Sequence, residues 1–146
     1  MDIVKVFTEL EVVLKSITAP QGGQPLAGVV NDDPATPLTV FPVFVNIEEE
    51  EEIDSINLGL REEVLIVGMH LLFAAADSRY SIAARRAWRG PVLDVFDVKP
   101  GRDLNGEALR AHITNVGYRN ADNPLALQGG VYISASFRLR VVWKGS

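Results

Sequence analysis

No cysteine occurs in the 146 residues. Disulfide scaffolds, thiolate zinc sites, iron–sulfur clusters and cysteine nucleophiles are thereby excluded, and the absence fits a protein made in a reducing cytosol. The phosphate-cradling pattern G-x-x-x-x-G-K-[ST], the dinucleotide pattern G-x-G-x-x-G, the zinc pattern H-E-x-x-H and the nucleophile pattern G-x-S-x-G are also missing. The longest apolar run, Val64 to Ala76, includes His70 and falls short of the ~18 residues that a membrane helix needs. The opening Met1-Asp2-Ile3-Val4-Lys5 has neither the basic start nor the small-residue cleavage site of a signal peptide. The expectation is a protein that is neither secreted nor inserted in a membrane.

What is present is ordinary for a globular chain: 47% hydrophobic and 23% charged residues. The length predicts one domain spanning 1–146. The net charge of −5 hides a marked asymmetry. Residues 1–60 hold 11 acids and 2 bases, and residues 61–146 hold 8 acids and 12 bases. The first half is therefore a poor general nucleic-acid binder, while copies of the chain have unlike surfaces to offer one another.

The periodicity of Ile3, Val6, Phe7, Leu10, Val13, Leu14 and Ile17 predicts an N-terminal helix over Val4–Ile17, capped by Asp2 and ended by Pro20 and Gly22-Gly23. A turn-rich stretch with a short strand near Leu26–Val30 leads to a strand over Leu38–Ile47, with Pro42 placing it at an edge or on a bulge. Glu48, Glu49, Glu50, Glu51 and Glu52 must meet solvent or a partner, and read as an acidic loop before a hairpin connection over 53–60. Arg61–Ala76 is apolar on both faces and predicts a central strand, with a helix as the competing reading. A helix follows, capped by Asp77 or Ser78, with Ile82, Ala83, Ala87 and Trp88 inward and Arg79, Arg85, Arg86 and Arg89 outward. Gly90-Pro91 should break it, and Val92, Val95 and Phe96 should form a second short helix. Ala108–Arg119 reads as a strand with Leu109, Ala111, Ile113 and Asn115 on one face. Val131–Trp143 alternates strictly, with Arg138 and Arg140 on its polar side. The fold class is α+β: a mixed or antiparallel β-sheet with an N-terminal helix and a central helical segment packed on it.

Candidate chemistry is sparse. His70 sits in an apolar strand and reads as a core or interface histidine, and His112 as a half-exposed strand residue; neither has the converging carboxylates of a metal site. Asp94, Asp97 and Asp103 are the best-spaced acids for acid/base work, but no nucleophile accompanies them. The glutamate run lacks the glycine and ligand spacing of a calcium loop. The outward arginines suit an acidic partner or a phosphate; Trp88 alone is no platform for stacked bases.

This layout resembles the tail-terminator (tail-completion) proteins of long-tailed bacteriophages. The likeness rests on size and element order. An amphipathic helix at Val4–Ile17 is followed by Asp32-Asp33-Pro34-Ala35-Thr36-Pro37 leading into Val40-Phe41-Pro42-Val43. Next come the charged-then-apolar strand Arg61-Glu62-Glu63-Val64-Leu65-Ile66-Val67, an arginine-rich helix, a turn at Pro100-Gly101 and the closing strand Tyr132–Trp143. The five-glutamate run lies outside that pattern. The resemblance implies a homo-hexameric ring in the virion, made in the host cytoplasm. Such a ring caps the tail tube protein, ends polymerisation and offers a docking surface to the head–tail connector, with duplex DNA passing through the channel. It implies no cofactor, no catalysis and no membrane. Glu48–Glu52 would face the lumen or a partner, and Arg79, Arg85, Arg86, Arg89, Arg138 and Arg140 would supply subunit or partner contacts. Competing readings are another neck component (head-closure or head–tail joining), a small enzyme or ligand-binding domain built on Asp94, Asp97 and Asp103, and a sheet-mediated dimer.

Overall fold

The computed structural model describes residues 1–32, 38–57, 59–74, 78–120 and 132–145. Helix α1 (Ile3–Lys15) buries Val6, Leu10, Val13 and Leu14. Its first turn is closed by Asp2, whose carboxylate accepts the Lys5 N–H at 3.2 Å. It stops two residues earlier than the apolar pattern runs, where the Ser16 hydroxyl donates to the Val13 carbonyl at 2.6 Å.

Five strands form one sheet in the order β1-β2-β3-β5-β4. They are β1 (Gly28–Asn31), β2 (Val43–Asn57), β3 (Leu60–Ala74), β4 (Arg110–Arg119) and β5 (Tyr132–Gly145). β1 is parallel to β2, and every other pairing is antiparallel. The expected α+β architecture with a mixed sheet is the one observed. Both helices lie on one face. There β3 contributes Leu65, Val67, Met69, Leu71 and Phe73, and β5 contributes Ile133, Ala135, Phe137, Leu139 and Val141, all buried.

Several boundaries differ from expectation. β2 begins after Pro42, not before it, because proline has no N–H for a ladder. Pro42 is buried after a cis Phe41–Pro42 peptide, and its carbonyl accepts the Ala27 N–H at 2.7 Å. Nor does the strand end at Ile47. Glu48, Glu49, Glu50, Glu51 and Glu52 are not a loop: they continue β2 against Val67–Val64 of β3. A backbone ladder is indifferent to side-chain charge, and alternation across the pleat, with a bulge at Glu49, spreads the carboxylates over two faces. All five side chains are exposed, as their charge requires. The expected connection over 53–60 is likewise mostly strand, with Gly59 in the left-handed conformation (φ +84°) at the turn; Leu58 lies outside the described residues.

Helix α2 (Ser78–Val95) runs unbroken through Gly90-Pro91. Trp88, Val92 and Phe96 share one buried face, and their burial outweighs the one hydrogen bond that Pro91 removes. Ala83 and Ala87, expected inward, are exposed. In β4 a bulge between Ile113 and Asn115 shifts the alternation. Ala111, Ile113, Val116 and Tyr118 share the helix-covered face, Asn115 moves to the opposite one, and Leu109 is 64% exposed. The expected cap at Asp77, the segment Asp33–Pro37, the turn after Asn120 and Val131 lie outside the described residues.

Candidate functional site

The sheet face away from the helices has two zones. At one end Val43, Val45, Leu72 and Tyr132 form a small apolar cluster with no helix residue in it. At the other the face is charged, and the charge is sorted by strand. β2 carries Glu48–Glu52 and Asp54 and no base; β4 and β5 carry Arg110, Arg119, Arg138 and Arg140 and no acid. β3 runs between them and presents Val64, Ile66, Gly68 and His70. Ile66, only 7% exposed, is flanked by Glu50 on β2 and Arg140 on β5.

The register assigns each glutamate. Glu50 and Glu52 pair with Ile66 and Val64 and lie on this open face. The bulge brings Glu49 there too, against the position where a Gly68 Cβ would be. Glu48 and Glu51 turn to the helix side, lining grooves beside Ile3 of α1. Glu49 reaches across Gly68 to Arg138 (3.9 Å) and Glu52 reaches Arg140 (3.9 Å). Both pairs are long and partly exposed, so each stabilises the fold by less than ~1 kcal/mol.

Beneath Glu49 and Arg138 lies a groove of about 230 Å³ containing Gly68, His70, Asn115, Gly117 and Ser136. His70 Nδ1 and Ser136 Oγ share a hydrogen bond of 2.7 Å. Burial pushes the imidazole down to a pKa of about 4, so it is neutral at pH 7. The sequence pattern does not reveal this pair, because only the β3–β5 register sets the two residues opposite each other. His112 is opposite Arg140, four positions along β5 from Ser136, so the two histidines do not meet. Burial and then Arg110 and Arg140 lower its pKa.

Arg85, expected on the outward face of α2, is only 8% exposed. It shares the buried helix face with Ser81 and Trp88. Its guanidinium donates to the carbonyl of Arg119 (2.9 Å) and to Asn120 Oδ1, and lies 5.0 Å from the Tyr118 ring centroid. Burial, then the Arg86 charge, lowers its pKa. Arg85 therefore ties α2 to the end of β4. Arg79, Arg86 and Arg89 are exposed as expected.

Asp94 and Asp97 are exposed on and after the last turn of α2, and Asp103 faces Lys99 at 3.6 Å. The grooves described above are lined by other residues. Among the described residues no three His, Asp or Glu side chains converge as a metal cage, and no helix is long and apolar enough to cross a membrane. No family model and no curated protein matches this sequence.

Proposed function

We propose that the protein is a structural virion subunit, a tail terminator whose copies close into a hexameric ring on the end of a phage tail tube. The ring ends polymerisation of the tube protein and offers its far side to the head–tail connector, and duplex DNA passes through its hole. The reading rests on the resemblance in element order and on one structural observation: acids on β2 and bases on β4 and β5, at opposite sides of one sheet. Unlike patches on one subunit make head-to-tail contacts, and head-to-tail contacts that close make rings.

In this reading the open face turns to the channel, since α1 and α2 occupy the other. The lumen reading of the whole glutamate run narrows to Glu49, Glu50 and Glu52, which would repel DNA phosphates. Arg138 and Arg140 share that face but are held by Glu49 and Glu52, which suits passage without specific binding. Arg79, Arg86 and Arg89 are then left for the tube or the connector. Negative-stain images of the purified chain at rising concentration test the reading. Annular particles with a central hole are expected, and compact particles without a hole would overturn it.

A further inference from the structure

We infer that neighbouring copies join by strand addition, the bare edge of β2 past Asn46 taking the free edge of β4 from the next copy. The inference rests on the ring reading and names its joint. β1 covers β2 only from Val43 to Asn46. From Ile47 onward β2 has β3 on one side and, among the described residues, no strand on the other. β4 is the opposite edge and, among the described residues, pairs with β5 and with no other strand.

Direction and level both fit. Successive antiparallel pairings leave β2 and β4 running opposite ways. A copy rotated about an axis along the strands therefore brings its β4 to β2 antiparallel, without inversion. Across the sheet, Arg110 is level with Val142, Val64 and Glu52, and His112 with Arg140, Ile66 and Glu50. Gly117, farther along β4, is level with Ser136, His70 and Val45, in the part of β2 that β1 already covers. The stretch of β4 that meets the bare edge without axial slip is thus the one beginning at Arg110.

That register makes chemical sense residue by residue. It sets Arg110 against Glu52 on the open face. One step outward it brings Leu109 level with Ile53, two of the exposed large apolar side chains, at 64% and 66%. Each then supplies an apolar partner to the other. The same edges refuse themselves: β2 on β2 opposes glutamates, and β4 on β4 brings arginines together, both destabilising. Charge that guards an edge from self-pairing here admits only the unlike edge.

The chain has no native thiol, so introduced cysteines report the joint directly. Opposed residues of an antiparallel pair stand ~4.5–5.5 Å apart at Cα, within disulfide reach. Glu52→Cys and Arg110→Cys are both exposed sites, so folding is checked by circular dichroism and the oligomer by native mass. Oxidising an equimolar mixture of the two single variants should give disulfide dimers, and the double variant a covalent ladder ending at the ring. Neither variant alone should dimerise. Arg110→Glu should weaken assembly at least tenfold and Glu52→Arg/Arg110→Glu should restore it. A dimer from Glu52→Cys alone overturns the joint in favour of a two-fold contact. Rings that link neither here nor through Glu50→Cys with His112→Cys overturn the joint and leave the ring reading standing. A wild-type chain that never oligomerises overturns both.

Discussion

His70 gives the fold a pH dependence whose size follows from its burial. In the unfolded chain a histidine titrates near ~6.5; in the sheet His70 titrates at about 4. The folded state therefore binds its proton less readily than the unfolded state. Stability is fully present above ~6.5, is lost as pH falls through that value, and the loss levels off below the folded pKa. At pH 4.5 the linkage amounts to about 2–3 kcal/mol. The residue is only 7% exposed, so solvent screening removes little of this. Carboxylates titrate in the same range, so the informative quantity is the difference between wild type and His70→Gln, which keeps a polar partner for Ser136. Urea melts of both chains from pH 7.5 to 4.5 should diverge, the wild type losing about 2–3 kcal/mol more than the variant. Parallel curves would mean that His70 is not held neutral in the sheet, and its burial there would be wrong.

Arg85→Ala should destabilise by about 1.5–3 kcal/mol, because the Arg119 carbonyl and the Asn120 amide oxygen lose a charged donor. Arg85→Lys should recover less than half of that, since one ammonium cannot reproduce the fork; thermal melts decide, and unchanged melts would return Arg85 to the surface. Phe137→Ala and Leu71→Ala, both fully buried, should each cost about 2–5 kcal/mol in chemical denaturation; losses under ~0.5 kcal/mol would mean misassigned strands. Gly101→Ala should cost about 1–3 kcal/mol, because the new methyl would overlap the Val95 carbonyl at the end of α2. A neutral melt there would mean the turn relaxes freely.

The elements were largely legible in the sequence because their apolar periods are strong. α1, β3 and β5 lie close to where the patterns put them, and the strict alternation of Ile133 to Val141 named the buried face of β5. Tertiary context overrode local signals elsewhere. Pro91 does not break α2 because Trp88, Val92 and Phe96 must lie on one buried face. The glutamates form a strand because β3 offers a ladder, a reason no local window contains. Arg85 looked outward because arginine usually is; its buried position shows only once the ends of β4 and β5 lie under the helix. The charged face follows the same lesson. Alternation assigned sides to His70, Arg138 and Arg140, but their opposition to Ser136, Glu49 and Glu52 is a matter of register, which depends on bulges at Glu49 and Thr114 that carry no sequence mark.

Whether unlike edges of one chain close on themselves is read from native mass spectrometry of the untagged wild type. A dominant species at six times the 16.0 kDa chain mass is expected, dissociating as salt screens the Glu–Arg contacts. A chain that stays single at every concentration, or a salt-resistant two-fold dimer, would contradict that closure.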